Sequence, residues 1–125
     1  NPKGVVYHHR GAAMMCYGNT IATGMGQHPV YLWTLPMFHC NGWCFPWSIA
    51  AAAGVSVCLR HVRADDIYRL IKQEQVDHFC GAPIVLNMLN SGELHECLGA
   101  EAPERLRDVG GADDDGGRLV HAQPS

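Results

Sequence analysis

Three short stretches hold the residues able to do chemistry in this 125-residue chain. At the start, Asn1-Pro2-Lys3-Gly4-Val5 sets a lysine in a Pro-Lys-Gly turn. Backbone N–H groups and a lysine charge together hold a phosphate, and Gly4 lets the backbone pass closely beneath an anion. Taken alone, the same turn equally describes an ordinary exposed lysine. In the middle, His39 follows an apolar run and Pro36 among the aromatics Trp33, Phe38, Trp43, Phe45 and Trp47. The carboxyl ends of strands in a parallel sheet are where ligands gather, whereas a core histidine satisfied by a carbonyl has the same spacing. The third stretch, His78-Phe79-Cys80-Gly81-Ala82-Pro83, reads as a strand end and a tight turn whose Gly81 and Pro83 set backbone geometry.

Two sharper chemistries are rejected on spacing. His39, Cys40 and Cys44, with His8 and His9 elsewhere, offer imidazoles and thiols, but structural zinc needs four well-spaced ligands and no second Cys pair is present. No metal site is therefore expected. Cys40 as a nucleophile served by His39 fails because adjacent residues in extended chain point apart.

The bulk composition narrows the partners. The chain is 47% hydrophobic and 17% charged, in the range of a soluble globular domain. Its formal charge of −3 gives no electrostatic reason to bind nucleic acid or an anionic membrane, so small molecules are the expected partners. The cysteines at 16, 40, 44, 58, 80 and 97 show no Cys-x-x-Cys pair and lie mainly in apolar stretches. Reduced thiols in a reducing compartment are expected, cytoplasmic or, in a eukaryote, peroxisomal. The longest apolar stretch, residues 44–59, is broken by Pro46 and Gly54 and falls short of the ~20 residues a bilayer requires.

The elements that must position these residues follow from periodicity and punctuation. The Ala- and Met-rich segment from Gly11 to about Ala22 predicts a buried helix ended by Gly24 and Gly26. Val30 to Leu35 is a β-rich run stopped by Pro36. Residues 42–53 predict a helix with Pro46 in its first turn, and Gly54 supplies a left-handed cap before a strand from Val55 to Leu59. Ile67, Leu70 and Ile71 share one side of a helix from Ala64 to about Gln75, with Asp65 and Asp66 at its start and Lys72 near its end. Val76 to Cys80 is a further strand and Ile84 to about Asn90 a short helix. Strands alternating with helices on short connections predict an α/β fold, a parallel sheet flanked by helices. After about Ser91 the periodicity fades and Gly110-Gly111, Asp113-Asp114-Asp115 and Gly116-Gly117 crowd together, which predicts a poorly ordered tail.

The opening Asn1-Pro2-Lys3-Gly4-Val5, the run Tyr31-Leu32-Trp33-Thr34-Leu35-Pro36-Met37-Phe38-His39-Cys40-Asn41-Gly42-Trp43-Cys44-Phe45 and the turn Phe79-Cys80-Gly81-Ala82-Pro83 together resemble blocks of the AMP-forming acyl-CoA synthetases. The likeness runs from Asn1 to about Asn90 and is nearest the branch acting on short- to medium-chain fatty or aromatic acids. It implies a two-step reaction: a carboxylic acid and Mg2+-bound ATP give an acyl-adenylate and pyrophosphate, and the thiol of coenzyme A then displaces AMP. By the resemblance Lys3 and Gly4 belong to the phosphate loop. Phe38, His39, Asn41, Gly42 and Trp43 then line the acyl pocket, with Gly81, Ala82 and Pro83 as a wall. His39 would orient the carboxylate, leaving its oxygen free to attack the α-phosphate.

The family's pattern departs in two places. The front of the phosphate loop is missing ahead of Asn1, so a fragment is expected, an incomplete piece of the large N-terminal domain of the adenylate-forming fold. Residues 1–91 form the partial AMP-binding domain, and residues 92–125 are a divergent or disordered tail that equally resembles translation in a shifted frame. The adenylate and magnesium block, the ribose-binding aspartate and the catalytic lysine are absent, so no complete catalytic set is expected and the isolated chain should be inactive. The alternatives are a binding module that holds an acyl group or nucleotide without chemistry, or a truncated product without function. An incomplete sheet of that kind would expose strand edges and self-associate.

Overall fold

The computed structural model describes residues 3–90 and 119–121. Its core is a short sheet whose middle strand is apolar on both faces. In β1, Val30–Trp33, the side chains of Tyr31 and Trp33 point to one face and that of Leu32 to the other, as the two-residue period of a strand requires. All three are buried. β2, Val55–Cys58, and β3, His78–Cys80, pair with β1 on either side and run parallel to it. β4, Leu119–His121, adds antiparallel to β3, giving the order β2-β1-β3-β4.

Helices cover both faces. α1, His9–Thr23, α2, Cys40–Trp43, and α3, Phe45–Ala51, precede β2 in the chain. Tyr31, Trp33, Phe45, Ile49 and Met25 form one core cluster, with Tyr31 and Phe45 stacked at 5.0 Å between ring centroids. On the opposite face lie α4, Ala64–Glu74, and α5, Pro83–Asn90, where Leu32 and Phe79 meet Ile67, Ile71, Leu86 and Leu89. The Tyr68 hydroxyl donates to the Leu89 carbonyl at 2.7 Å and joins the two helices within this core.

The sequence logic of α4 is clear. Asp65 and Asp66 sit in its first turn and Lys72 in its last, each beside the helix pole of opposite charge. Ile67, Tyr68 and Ile71 form its buried stripe, and Leu70 lies at the edge, only partly covered. The Arg69–Asp66 ion pair at 3.1 Å is exposed and contributes little.

Four expectations are corrected in detail. α1 is a helix ended by left-handed Gly24, but Cys16 and Thr23 are its only fully buried residues; Met14, Tyr17 and Ile21 face outward. The strands end early, at Trp33 rather than Leu35 and at Cys58 rather than Leu59, and β3 begins at His78 rather than Val76. The helix expected over residues 42–53 is broken at Cys44 into α2 and α3, with Pro46 in the first turn of α3, where its missing N–H costs nothing. The left-handed residue before β2 is Ala53, with φ of 52°, and not Gly54. Gly54 is needed for another reason: a Cβ there would lie 2.6 Å from the Pro29 carbonyl oxygen, where Val55 N–H donates to that same oxygen as β2 begins to pair with β1. The expected tail lies outside the described residues apart from Leu119–His121. No helix among the described residues is long and apolar enough to cross a membrane.

Replacing Ile67, which is 0% exposed, by Ala should cost about 2–5 kcal/mol in urea unfolding, whereas Ile84→Ala, at a position 77% exposed, should shift stability by no more than about 0.5 kcal/mol.

Candidate acyl-binding cleft

The chain leaves β1 toward one face of the sheet and leaves β3 toward the other. Neighbouring strands whose connections part in this way open a crevice at their carboxyl ends. A cleft of about 570 Å³ lies there. Leu35 and His39, from the loop after β1, and Trp43, at the end of α2, form one side. Cys80, Gly81, Ala82 and Pro83, at the end of β3 and the start of α5, form the other. Met15 and Asn19, one turn apart on α1, and Phe45 complete it.

Local backbone geometry sets these side chains. Tight turns fix the His39 main chain: its N–H donates to Pro36 at 3.1 Å, and its carbonyl accepts from Gly42 at 2.9 Å. Gly42, Trp43 and Cys44 are then left-handed in succession, with φ of 59°, 54° and 66°. A left-handed tryptophan is costly and persists only where its surroundings hold it. One contact acts on it directly: the Asn19 side-chain amide donates to the Trp43 carbonyl at 2.7 Å. Nearby, the Ser48 hydroxyl donates to the Cys16 carbonyl at 3.2 Å and ties α3 to α1. Gly42 is also packed so that a Cβ would lie 2.7 Å from the Trp33 ring. Pro83 opens α5, and Gly81 keeps an ordinary backbone, its lack of a Cβ making room for Leu86.

The cleft is largely apolar. Among its described lining residues only His39 and Cys80 carry ionisable side chains, and His39 is exposed at the rim. Burial pushes the Cys80 thiol up, partly offset by its contact with the Tyr31 hydroxyl. Burial raises Tyr31 far above the ordinary phenol range, and the Cys80 charge adds to the effect. At neutral pH the described lining residues below the imidazole therefore present no charge. The Thr34 hydroxyl donates to the Cys80 carbonyl and joins the two strand ends beneath the cleft.

The candidate residues from the sequence divide into two groups. His39, Trp43, Gly81, Ala82 and Pro83 come together around the cleft, while Gly42 lies behind it against Trp33. Phe38 is exposed and does not line the cleft, and the side chain of Asn41 lies outside the described residues. Lys3 and Gly4 are exposed in the segment before α1, with open space around Gly4, and do not line the cleft either. His8 caps α1, its imidazole accepting from Gly11 N–H at 2.8 Å.

A family model described as AMP-binding enzyme matches residues 1–116. The chain belongs to the AMP-binding enzyme family. The peroxisomal acetate/butyrate–CoA ligase of Arabidopsis thaliana is 58% identical to this chain over 89 residues, covering 71% of the chain and 16% of that ligase. A 2-methylpropanoate–CoA ligase of Humulus lupulus is 53% identical over 98 residues, 78% of this chain and 18% of its own length. The peroxisomal benzoate–CoA ligase of Arabidopsis thaliana is 48% identical over 113 residues, 82% of this chain and 20% of that ligase. The chain thus spans a fifth or less of the length of these relatives.

Sequence reasoning missed Met15, Asn19, Leu35, Phe45 and Cys80 as cleft residues. The four-residue spacing of Met15 and Asn19 does put them on one helix face, but only tertiary packing turns that face toward the strand ends.

Both raised groups are neutral when protonated, so the fold is favoured below their unfolded-state pKa values and loses that contribution as pH rises beyond them. Stability should fall above about pH 8.5–9 as unfolded thiols ionise, and more steeply above about pH 10. Urea midpoints across this range should show the steeper part reduced in Tyr31→Phe.

Proposed function

We propose that this chain forms the acyl-binding part of an AMP-forming acid–thiol ligase acting on a short- to medium-chain fatty or aromatic acid. The observation that carries this reading is the apolar cleft with an imidazole at its rim. Taking a carboxylate into an apolar cavity is costly, whereas burying a hydrocarbon tail is favourable at about 25 cal/mol per Å². An acid therefore enters tail first and leaves its carboxylate beside His39. There a hydrogen bond fixes the carboxylate and directs its free oxygen outward, toward a nucleotide. The relatives named for acetate/butyrate, 2-methylpropanoate and benzoate support acids of this size.

In the full reaction ATP supplies the α-phosphorus that the carboxylate oxygen attacks. Pyrophosphate leaves, and the thiol of coenzyme A then takes the acyl group and releases AMP. Lys3 and Gly4 are the residues of this chain proposed to meet the phosphates. The open backbone around Gly4 fits an anion, although one lysine supplies only part of such a grip. Mg2+ accompanies the ATP, and no residue of this chain is assigned to it. The peroxisomal designation of two relatives supports a peroxisomal location as a reducing-compartment reading.

A second reading, an acyl-binding module without chemistry, is favoured by one observation: Lys3 and Gly4, the residues proposed to meet the phosphates, do not line the apolar cleft. The outer edge of β2 and the exposed Ile21, Phe38 and Ile84 support self-association of the isolated chain.

Residues 3–90 exchanged into the Arabidopsis thaliana acetate/butyrate–CoA ligase should retain acid- and CoA-dependent AMP release. In that chimaera His39→Ala should lower kcat/KM by up to about a hundredfold. A folded chimaera indifferent to His39→Ala would overturn the role given to the imidazole. The purified 125-residue chain, mixed with ATP, butyrate and CoA, should release no AMP; saturable butyrate binding without turnover would favour the module.

A further inference from the structure

Among the polar groups around the cleft, Asn19 stands apart from the sequence motifs. It lies on α1, 24 positions before the residue whose carbonyl it holds. We infer that Asn19 is a positioning residue for the cleft: its side-chain amide fixes the left-handed Trp43, so that the indole forms a wall and limits the bulk of the acid. This inference rests on the acyl-pocket reading above for the acid, but not for the position of the indole.

Gly42 tolerates a left-handed backbone without penalty, but Trp43 and Cys44 do not. Relaxing Trp43 to a right-handed or extended conformation would swing its indole away from its present direction. Opposing this are the 2.7 Å bond from the Asn19 amide, reaching across from α1, and the packing of Gly42 on Trp33. The Gly42 contact restrains the residue before Trp43, whereas the amide acts on the peptide carbonyl of Trp43 itself.

Location supports the same conclusion. Asn19 and Trp43 both line the cleft, as does Met15 one turn earlier on α1. Trp43 is 54% exposed, so burial alone does not fix it, and the hydrogen bond to its carbonyl sets the direction in which its Cα–Cβ bond leaves the chain. An apolar residue at position 19 would leave the α1 contact intact in shape and remove only the donor.

The test compares Asn19→Leu, nearly isosteric and lacking the donor, with Asn19→Gln, which keeps a donor on a longer arm, in the full 125-residue chain labelled with 5-fluorotryptophan. Trp43→Phe assigns the Trp43 fluorine line. The expected result is a shifted or broadened Trp43 line in Asn19→Leu and a return toward the wild-type position in Asn19→Gln, with the Trp47 line unmoved. A Trp43 line unchanged in Asn19→Leu overturns the inference, whether or not any acid binds.

Titration of the same samples with acetate and with benzoate reads the size limit. Asn19→Leu should change the benzoate-to-acetate affinity ratio by roughly tenfold, the scale of one hydrogen bond, and Asn19→Gln should restore most of it. A moved Trp43 line with an unaltered ratio also overturns the size-limiting role. Failure of the wild-type chain to bind either acid tells against the acyl-pocket reading alone, because the fluorine line still decides whether Asn19 positions Trp43. Thermal unfolding of each variant separates a local change at Trp43 from loss of the fold.

Discussion

The burial of β1 on both of its faces is the constraint on which everything else depends. A strand with Tyr31 and Trp33 on one side and Leu32 on the other is stable only if both sides are covered. The chain meets this by sending its first crossover over one face and its second over the other. The division of the core into an aromatic cluster around Tyr31 and an aliphatic cluster around Leu32 follows directly. The cleft follows as well, because connections that part to opposite faces cannot fill the space between the ends of β1 and β3.

The chemistry of the cleft is set by what the fold withholds from it. Its walls come from strand ends, a proline-started helix and one face of α1, and among the described residues none of these delivers a carboxylate or an ammonium. The ionisable groups among the described lining residues differ in solvation: His39 is exposed at the rim, and burial holds Cys80 protonated despite its contact with the Tyr31 hydroxyl. A neutral interior below one imidazole suits a molecule that is apolar at one end and anionic at the other.

Much of this was legible in the sequence because local signals and packing agreed. The charges and spacing of α4 fix its limits, and the strands around β1 are runs of β-formers bounded by proline or glycine. Packing overrode composition elsewhere. α1 is rich in Ala and Met all round, which reads as buried, yet Met14, Tyr17 and Ile21 remain uncovered by the described residues. Gly54 looked like a helix cap because glycine favours that role, but the close approach of Pro29 requires glycine there and leaves the left-handed turn to Ala53. In the site, His39 and the Gly81-Ala82-Pro83 turn were visible as motifs. Met15 and Asn19 were not, since nothing local states which way a helix will face.

α1 also joins two parts of the molecule that the sheet keeps apart. Its first turn begins six positions after Lys3, and its middle reaches the cleft through Met15 and Asn19. From His9 to Asn19 the helix is a rod about 15 Å long. Residues 3–8 lead into that rod without regular structure of their own, so one helix and a short exposed lead carry the chain from Lys3 to the cleft wall.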